Sequence, residues 1–346
     1  MSRSVVQVVR RFGCVGGMES YVWFLSHELI RLGYQVVVVC EECEGQPDPA
    51  IELVLVPKSF QRRRWKAMRE FNRRIDHVFQ SRPGLIKSII HSHERTAWHH
   101  VTTFHGPPMK KAAGLPWYKR YSPRVNYWLD VEDRELCGAS VQKVVPVSRM
   151  IGKQLLDQYP RSRDRMMAPA YPALRALIPK DFQECGHVIR LLFVGKEWER
   201  KGLRKAMRIC EGLSRKCSVQ FDVFGVASTD VPSQLNCPFV NFKGYQTYIP
   251  FEEYDLLIHP AVSEPFGMVV IEALSSGCRA LVSDQVGAAE SSHDGLTVME
   301  LDGSVSRWVD AAVESVSRVP CQWPRFETWA DVAVYYDTLI YNDVSV

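Results

Sequence analysis

The strongest constraint on the fold is an alternation that occurs twice along the chain: short β-branched apolar runs separated by longer amphipathic stretches. In the first half, Val5 to Val9, Gln35 to Cys40, Glu52 to Val56, Ile86 to His91, Val101 to Phe104 and Lys143 to Val147 read as strands. Several are apolar almost throughout, the pattern of parallel strands covered on both faces. Helical periodicity fills the gaps at Met18 to Leu32, Arg63 to Gln80, Trp117 to Leu136 and Met150 to Tyr159. The second half begins the pattern again with strand Val188 to Val194, helix Leu203 to Lys216, strands Val219 to Phe224 and Asp255 to Pro260, helix Gly267 to Ser276 and strand Arg279 to Ser283. Strands alternating with helices in this way predict a doubly wound α/β fold in each half.

A chain of 346 residues suits two domains. Between Arg161 and Lys180 neither period is clear, and Pro169, Pro172 and Pro179 interrupt the chain, so the boundary is expected there. The expected division is 1–168, 169–325 and a closing segment, 326–346. The amphipathic stretch Arg325 to Asn342, rich in Trp and Tyr, is expected to form a helix that packs back toward the first domain. No repeat of solenoid period and no low-complexity segment interrupts this plan.

The chain carries no apolar run near the ~20 residues a spanning helix needs, and its N-terminus runs directly into a strand without the pattern of a secretion signal. A cytoplasmic protein is expected, with its ten cysteines reduced. Cys40 and Cys43 make one C-x-x-C, but no second pair follows at zinc-ribbon spacing and Glu41 and Glu42 disfavour thiolates, so no metal or redox role is expected. The net charge of +4 conceals a split: residues 1–180 carry +13 and residues 181–346 carry −9. A basic first half implies an anionic partner, either a membrane surface or a phosphorylated acceptor. Nucleic acid is not expected, because no recognisable binding module accompanies the charge.

The most informative segment is Ser263-Glu264-Pro265-Phe266-Gly267-Met268-Val269-Val270-Ile271-Glu272, directly after an apolar strand. In open α/β sheets ligands bind beyond the carboxyl ends of strands, and the unpaired N–H groups of a helix start favour an anion. Glu264 in the loop and Glu272 inside the helix are both candidate acceptors of sugar or ribose hydroxyls. The pair taken alone is equally compatible with an ordinary helix-start acid and a solvated helix position. A second strand-to-helix loop, Gly195-Lys196-Glu197-Trp198-Glu199-Arg200-Lys201-Gly202, holds Lys196 and Lys201 five residues apart, with Arg200 as a substitute. Two such cations can bracket a diphosphate whose charge grows as a sugar departs. A solvated turn of mixed charge is the other way to read it, since Glu197 and Glu199 neutralise part of the cluster.

Gly16 and Gly17 turn the first strand into the first helix, where the backbone can approach a ligand, although the spacing is not that of a dinucleotide fingerprint. Histidines gather at His91, His93, His99, His100 and His105, with no carboxylate and third ligand at a metal-site spacing. His105 closes the strand Thr102-Thr103-Phe104 and is a candidate hydrogen-bond partner for a sugar or acceptor, or else a packed loop histidine. From Phe60 through Arg74, aromatics alternate with many cations, as on a helix that lies on anionic lipid or one with a solvated basic face.

With these residues in place, nearly the whole chain resembles the retaining glycosyltransferases of family 4, which have the two-domain GT-B architecture. The resemblance is carried by the E-x7-E signature Glu264 to Glu272, by Lys196 and Lys201, by Gly16-Gly17 and by His105 in Thr103-Phe104-His105-Gly106. It implies an α/β fold of two Rossmann-like doubly wound domains facing across a cleft, and catalytic roles for His105, Glu264, Lys196 and Lys201. It further implies donor binding by Gly16, Gly17, Arg200, Glu272 and the amides of Phe266, Gly267, Met268 and Val269. The implied donor is a nucleoside diphosphate sugar, UDP-linked by preference, with no metal cofactor, since the basic pair does the work of a cation. The implied acceptor is an anionic glycolipid or oligosaccharide such as lipopolysaccharide core, with contact at the cytoplasmic face of the inner membrane. A GT-B sugar-nucleotide epimerase and a non-catalytic sugar-nucleotide-binding subunit are the alternatives. Three departures stand out: Lys196 stands where the family more often has Arg, which keeps the charge but removes a bidentate fork; Phe224-Gly225-Val226-Ala227 lacks a second glycine; and the short stretch from Gly244 to Asp255 leaves room for one turn where the family has a helix.

Overall fold

The computed structural model describes residues 3–109, 122–174, 187–232, 239–318 and 327–346. By internal packing the chain divides into two units, Met1–Arg175 with Glu327–Val346, and Ala176–Phe326.

The main sheet of the first unit contains β1 (Ser4–Val8), β3 (Gln35–Cys40), β5 (Glu52–Leu55), β6 (Ile89–Ser92), β7 (Val101–Phe104) and β8 (Lys143–Pro146) in the order β5-β3-β1-β6-β7-β8. All neighbours are parallel. In chain order this is 3-2-1-4-5-6, the Rossmann order, with its switch point between β1 and β6. A two-stranded ribbon, β2 (Arg11–Phe12) with β4 (Glu42–Cys43), sits beyond the ends of β1 and β3. The helices α1 (Gly17–Arg31), α2 (Arg64–Ser81), α3 (Pro123–Cys137) and α4 (Arg149–Gln158) connect the strands. The apolar stripe Tyr21, Val22, Leu25 and Leu29 of α1 meets Val5, Val36 and Val38 in one core. On the other face Met68, Phe71, Ile75 and Phe79 of α2 pack on Val6, Val8, Val37 and Val39. That two-sided burial is why the valine runs show no polar alternation.

The chain ends in α8 (Trp329–Tyr335), opened by a reciprocal capping box between Thr328 and Asp331 and continued by a π-helical turn, Tyr336–Tyr341. Trp329, Val332, Ala333, Tyr336, Ile340 and Tyr341 join the α1 core of the first unit. Residues 160–174 also pack on this unit: Met167 and Ala170 bond the carbonyls of Val144 and Pro146, and Ala170 and Ala173 are buried in its core.

The second unit repeats the order. Strands β9 (Val188–Val194), β10 (Ser218–Phe224), β11 (Val240–Gly244), β12 (Leu256–His259), β13 (Arg279–Ser283) and β14 (Leu296–Met299) form a parallel sheet β11-β10-β9-β12-β13-β14. The helices are α5 (Leu203–Ser214), α6 (Met268–Ser275) and α7 (Val305–Ser317). The apolar faces of α5 and α7 meet β9, β10 and β12 around fully buried Trp308.

Several elements depart from expectation. The strand expected from Ile86 begins at Ile89, because Pro83–Lys87 forms a 3-10 turn after Pro83 removes an N–H from any ladder. The helix expected from Trp117 is observed from Pro123, and residues 117–121 lie outside the described ones. Strands β11 and β14 and helix α7 were not expected; both strands lie at sheet edges and are only five and four residues long, too short to show a clear period. Between β11 and β12 the connection is one 3-10 turn, Phe251–Glu253, in agreement with its short length.

Candidate functional site

In the second unit the switch point lies between β9 and β12, so the loops that follow these two strands sit side by side at the carboxyl end of the sheet. One loop supplies Lys196, Arg200 and Lys201, and the other supplies Glu264. The Lys201 ammonium lies 3.4 Å from Glu264 Oε2 and the Arg200 guanidinium 3.3 Å from the same oxygen. Arg200 also donates to the carbonyl of Ser263, and its Nη2 and Nε lie 2.6 and 2.8 Å from Glu197 Oε2, which pins it across both loops. Gly195 makes the Lys201 placement possible: a Cβ there would stand 2.2 Å from Lys201 Cδ, in the path of its stem.

Glu264 is held from both sides. Its N–H bonds the carbonyl of Gln285, its carbonyl receives the N–H of Gly287, and its side chain is 12% exposed. Burial opposes its charge, yet His259, Lys201 and Arg200 overcome that cost and hold the carboxyl down at about 2. At 3.8 Å the His259 ring is beyond hydrogen-bond reach, so the two cations carry most of the depression. The helix α6 starts at once after Glu264. Its N-cap Gly267 has φ +95°, a left-handed conformation in which a side chain would be strained and would meet Val286 and Glu264. The N–H groups of Met268 and Val269 in its first turn are the donors any helix start offers to an anion. One helical segment further on, Glu272 is pushed the other way: burial raises its carboxyl, with Lys201 opposing. Two carboxylates eight residues apart thus differ in their willingness to ionise.

The structure therefore gathers Lys201, Arg200, Glu264, Phe266, Gly267, Met268, Val269 and Glu272 around one strand-end junction. Lys196 is not paired with Lys201 at Glu264: it is exposed, with its ammonium 4.2 Å from the centre of the Tyr245 ring. Tyr245 was missed because an isolated, 65% exposed tyrosine after a short edge strand carries no pattern. His259 was also missed. It ends β12, fully buried, stacked on Phe193, with neither ring nitrogen hydrogen-bonded among the described residues. A polar residue closing the run Leu256-Leu257-Ile258 was the available signal.

Gly16, Gly17 and His105 belong to the first unit. Gly16 is the N-cap of α1 and Gly17 its first residue, in the loop that leaves β1 at that sheet's switch point. His105 follows β7, part-exposed, with Nε2 3.0 Å from His93 Nδ1; burial lowers it to about 3, so the ring is neutral. Glu94, which follows β6, was missed: burial pushes its carboxyl up to about 7 while Oε1 accepts the Arg10 N–H at 3.2 Å. The histidine cluster brings no metal set together, and among the described residues no group of three His, Cys, Asp or Glu side chains is placed to hold an ion. Cys40 and Cys43 are free thiols, and burial raises both, Cys40 to about 12.

This architecture recurs in solved structures. WaaG, a glycosyltransferase involved in lipopolysaccharide biosynthesis, matches with a TM-score of 0.72 at 17% identity over 98% of this chain and 96% of its own. Sucrose-phosphate synthase from Thermosynechococcus elongatus matches with 0.69 at 14% identity, covering 99% and 94%. Anabaena Alr3699/HepE in complex with UDP and glucose matches with 0.59 at 14% identity, covering 99% and 97%. No curated protein matches the sequence closely. Two parallel Rossmann-like sheets of this order, with a cationic, helix-capped junction, define the GT-B glycosyltransferase class. The family model "Glycosyltransferase Family 4" matches residues 15–167 and "Glycosyl transferases group 1" matches residues 189–317. The chain belongs to the GT-B glycosyltransferases of family 4.

Proposed function

We propose that the chain transfers a hexose or N-acetylhexosamine from a nucleoside diphosphate sugar, UDP-linked by preference, to a lipopolysaccharide-core or related surface-glycan acceptor, with retained anomeric configuration. The observation that carries this is the ionised Glu264 clamped by Lys201 and Arg200 beside the first turn of α6. Departure of a nucleoside diphosphate builds negative charge on phosphate oxygens, and fixed cations plus oriented amides stabilise such charge without reorganisation. Lys201 and Arg200 supply the cations, with Lys196 able to leave Tyr245 for the same phosphates, and the N–H groups of Gly267 to Val269 supply the dipole. This set does the work of a metal ion.

Glu264 stays charged at neutral pH, so it orients a sugar hydroxyl and stabilises positive charge developing at the sugar carbon rather than giving a proton. The departing phosphate takes the acceptor proton. Glu272 accepts from the ribose hydroxyls. In the first domain His105 meets a sugar hydroxyl. HepE in complex with UDP and glucose supports a uridine donor by analogy of fold.

An anionic acceptor is supported by α2. Arg62, Arg63, Arg64, Lys66, Arg69 and Arg73 are exposed, with no ion-pair partner among the described residues, and Phe60 is 95% exposed beside them. Several of these cations crowd the helix N-terminus, where the helix dipole is already positive and no acid offsets it. Such a cost in local stability fits a surface that receives phosphates, here proposed as the phosphorylated acceptor and the cytoplasmic face of the inner membrane. No described helix is long and apolar enough to cross a membrane.

The test is a thermal-shift series with UDP, GDP and ADP sugars, followed by transfer to phosphorylated core oligosaccharide and assignment of the product anomer by NMR. A ligand that binds only the folded protein raises the melting temperature. If no sugar nucleotide does so and no transfer occurs, the proposal fails; an inverted product removes the retaining mechanism alone.

A further inference from the structure

His105 is the open end of a buried hydrogen-bond chain that runs through the first domain. Its Nε2 faces His93 Nδ1 at 3.0 Å, and His93 Nε2 faces Gln7 Oε1 at 2.8 Å. Gln7 Nε2 donates to the Tyr341 hydroxyl at 3.3 Å, which lies 2.6 Å from His91 Nδ1. His91 Nε2 meets Thr103 Oγ1 at 2.7 Å, Thr103 meets the Tyr336 hydroxyl at 2.5 Å, and Tyr336 meets the Tyr21 hydroxyl at 3.1 Å. Tyr21 ends the chain on the backbone carbonyl of Ala170 at 3.3 Å. Every side chain in it except His105 is at most 4% exposed. The π-helical turn makes the middle possible. Its i to i+5 repeat puts Tyr336 and Tyr341 on one face, with ring centres 5.6 Å apart, whereas in an α-helix residues five apart diverge by about 140°.

Proton directions follow from the closed end. A carbonyl only accepts, so Tyr21 spends its proton on Ala170 and accepts from Tyr336. Tyr336 then accepts from Thr103, and Thr103 from His91 Nε2–H. Burial keeps His91 neutral, so its Nδ1 is bare and accepts from Tyr341. Tyr341 in turn accepts from the Gln7 amide, which turns the Gln7 carbonyl toward His93. His93, also held neutral by burial, carries its proton on Nε2 and offers a bare Nδ1 to His105 Nε2–H.

We infer that the Ala170 carbonyl sets every proton in this chain, so that His105 meets its ligand with an unprotonated Nδ1 and acts as an acceptor for a sugar hydroxyl. Gln7, His93 and Tyr341 are positioning residues for that ring, and the C-terminal helix takes part in the site through them. The sugar contact rests on the role proposed above for His105; the proton assignment does not.

The test is histidine-selective 15N labelling and long-range proton–nitrogen correlation at neutral pH, which reads the protonated nitrogen of each ring. Nε2–H on His91, His93 and His105 is expected; Nδ1–H on His105 or His93 overturns the assignment, whatever the activity. In Tyr341→Phe the segment from Ala170 to His91 stays fixed while Gln7 is released. His91 then keeps Nε2–H, His93 and His105 acquire an Nδ1–H population, and the donor KM rises about fivefold with a smaller change in kcat. Unchanged His93 and His105 signals in that variant overturn the relay, and if the variant does not fold the wild-type spectrum decides alone. Full transfer activity in His105→Ala, with the expected wild-type ring states, overturns the sugar contact and leaves the proton assignment standing.

Discussion

Replacing Lys201 with Met keeps most of the stem over Gly195 but removes one of the two charges that hold Glu264 ionised. The carboxyl sits at about 2 instead of 4.5, a net depression that corresponds to about 3.5 kcal/mol at ~1.4 kcal/mol per unit. Lys201 and Arg200 lie at nearly equal distances, 3.4 and 3.3 Å, so each is assigned about half of it, roughly 1.7 kcal/mol. A bare Coulomb term at this separation is about 5 kcal/mol at an effective dielectric of ~20, and desolvation of two partly buried groups offsets the difference. The sign with pH follows from a lowered folded-state value: the stabilisation is complete above pH ~4.5 and is lost as pH falls toward 2. The Lys201→Met deficit in denaturant-derived stability is therefore about 1.7 kcal/mol at pH 7, about 1.1 at pH 3 and below about 0.5 only near pH 2. A double-mutant cycle with Glu264→Gln isolates the pair, with an expected coupling of about 1.7 kcal/mol. Equal deficits at pH 7 and pH 2, or a coupling under about 0.5 kcal/mol, would show that Lys201 does not hold this carboxylate.

Other substitutions probe the same junction and the basic surface. Gly195→Ala forces the Lys201 stem aside at little cost to folding, so UDP-sugar affinity by calorimetry should fall about tenfold while the melting temperature stays within a few degrees. Glu272→Ala should abolish measurable transfer with the circular dichroism spectrum unchanged, and retained activity would remove it from the ribose site. His259→Phe should not lower the melting temperature, because neither ring nitrogen has a hydrogen bond to lose; a drop of more than a few degrees would reveal a partner. Charge reversal at Arg63, Arg64 and Lys66 together should abolish flotation with anionic vesicles and leave transfer to a soluble, unphosphorylated acceptor intact.

The fold was legible because its signal is local. Valine runs such as Gln35–Cys40 must be buried on both faces, and stripes such as Tyr21, Val22, Leu25 and Leu29 must face them, so each stretch carries its own evidence. The edges were not legible for the same reason: neither β11 nor β14 buries a residue fully, and a stretch of four or five residues satisfies several periods at once. In the second unit, Lys201, Arg200, Glu264 and Glu272 were read from sequence because their segments border a switch point, where position along the chain and position at the strand end coincide. Lys196 and Lys201 show the limit, since five residues of spacing placed them on one loop but could not say that one would meet Glu264 and the other an aromatic ring.

Least legible is what depends on contacts distant in sequence. The histidine cluster crowds between positions 91 and 105 without the spacing of a metal set, and its chemistry is decided by Gln7 and by Tyr336 and Tyr341, the tyrosines more than two hundred residues away. A buried imidazole with a hydroxyl or amide on each nitrogen is a satisfied link in a chain, whereas the same ring beside a carboxylate is a ligand or a base. Sequence spacing cannot distinguish these cases, because the partner arrives from the other end of the polypeptide. The closing helix is therefore more than a clasp on the first domain: its two tyrosines occupy positions that only a π-helical turn brings onto one face, and they determine what the neutral rings beneath them can donate or accept.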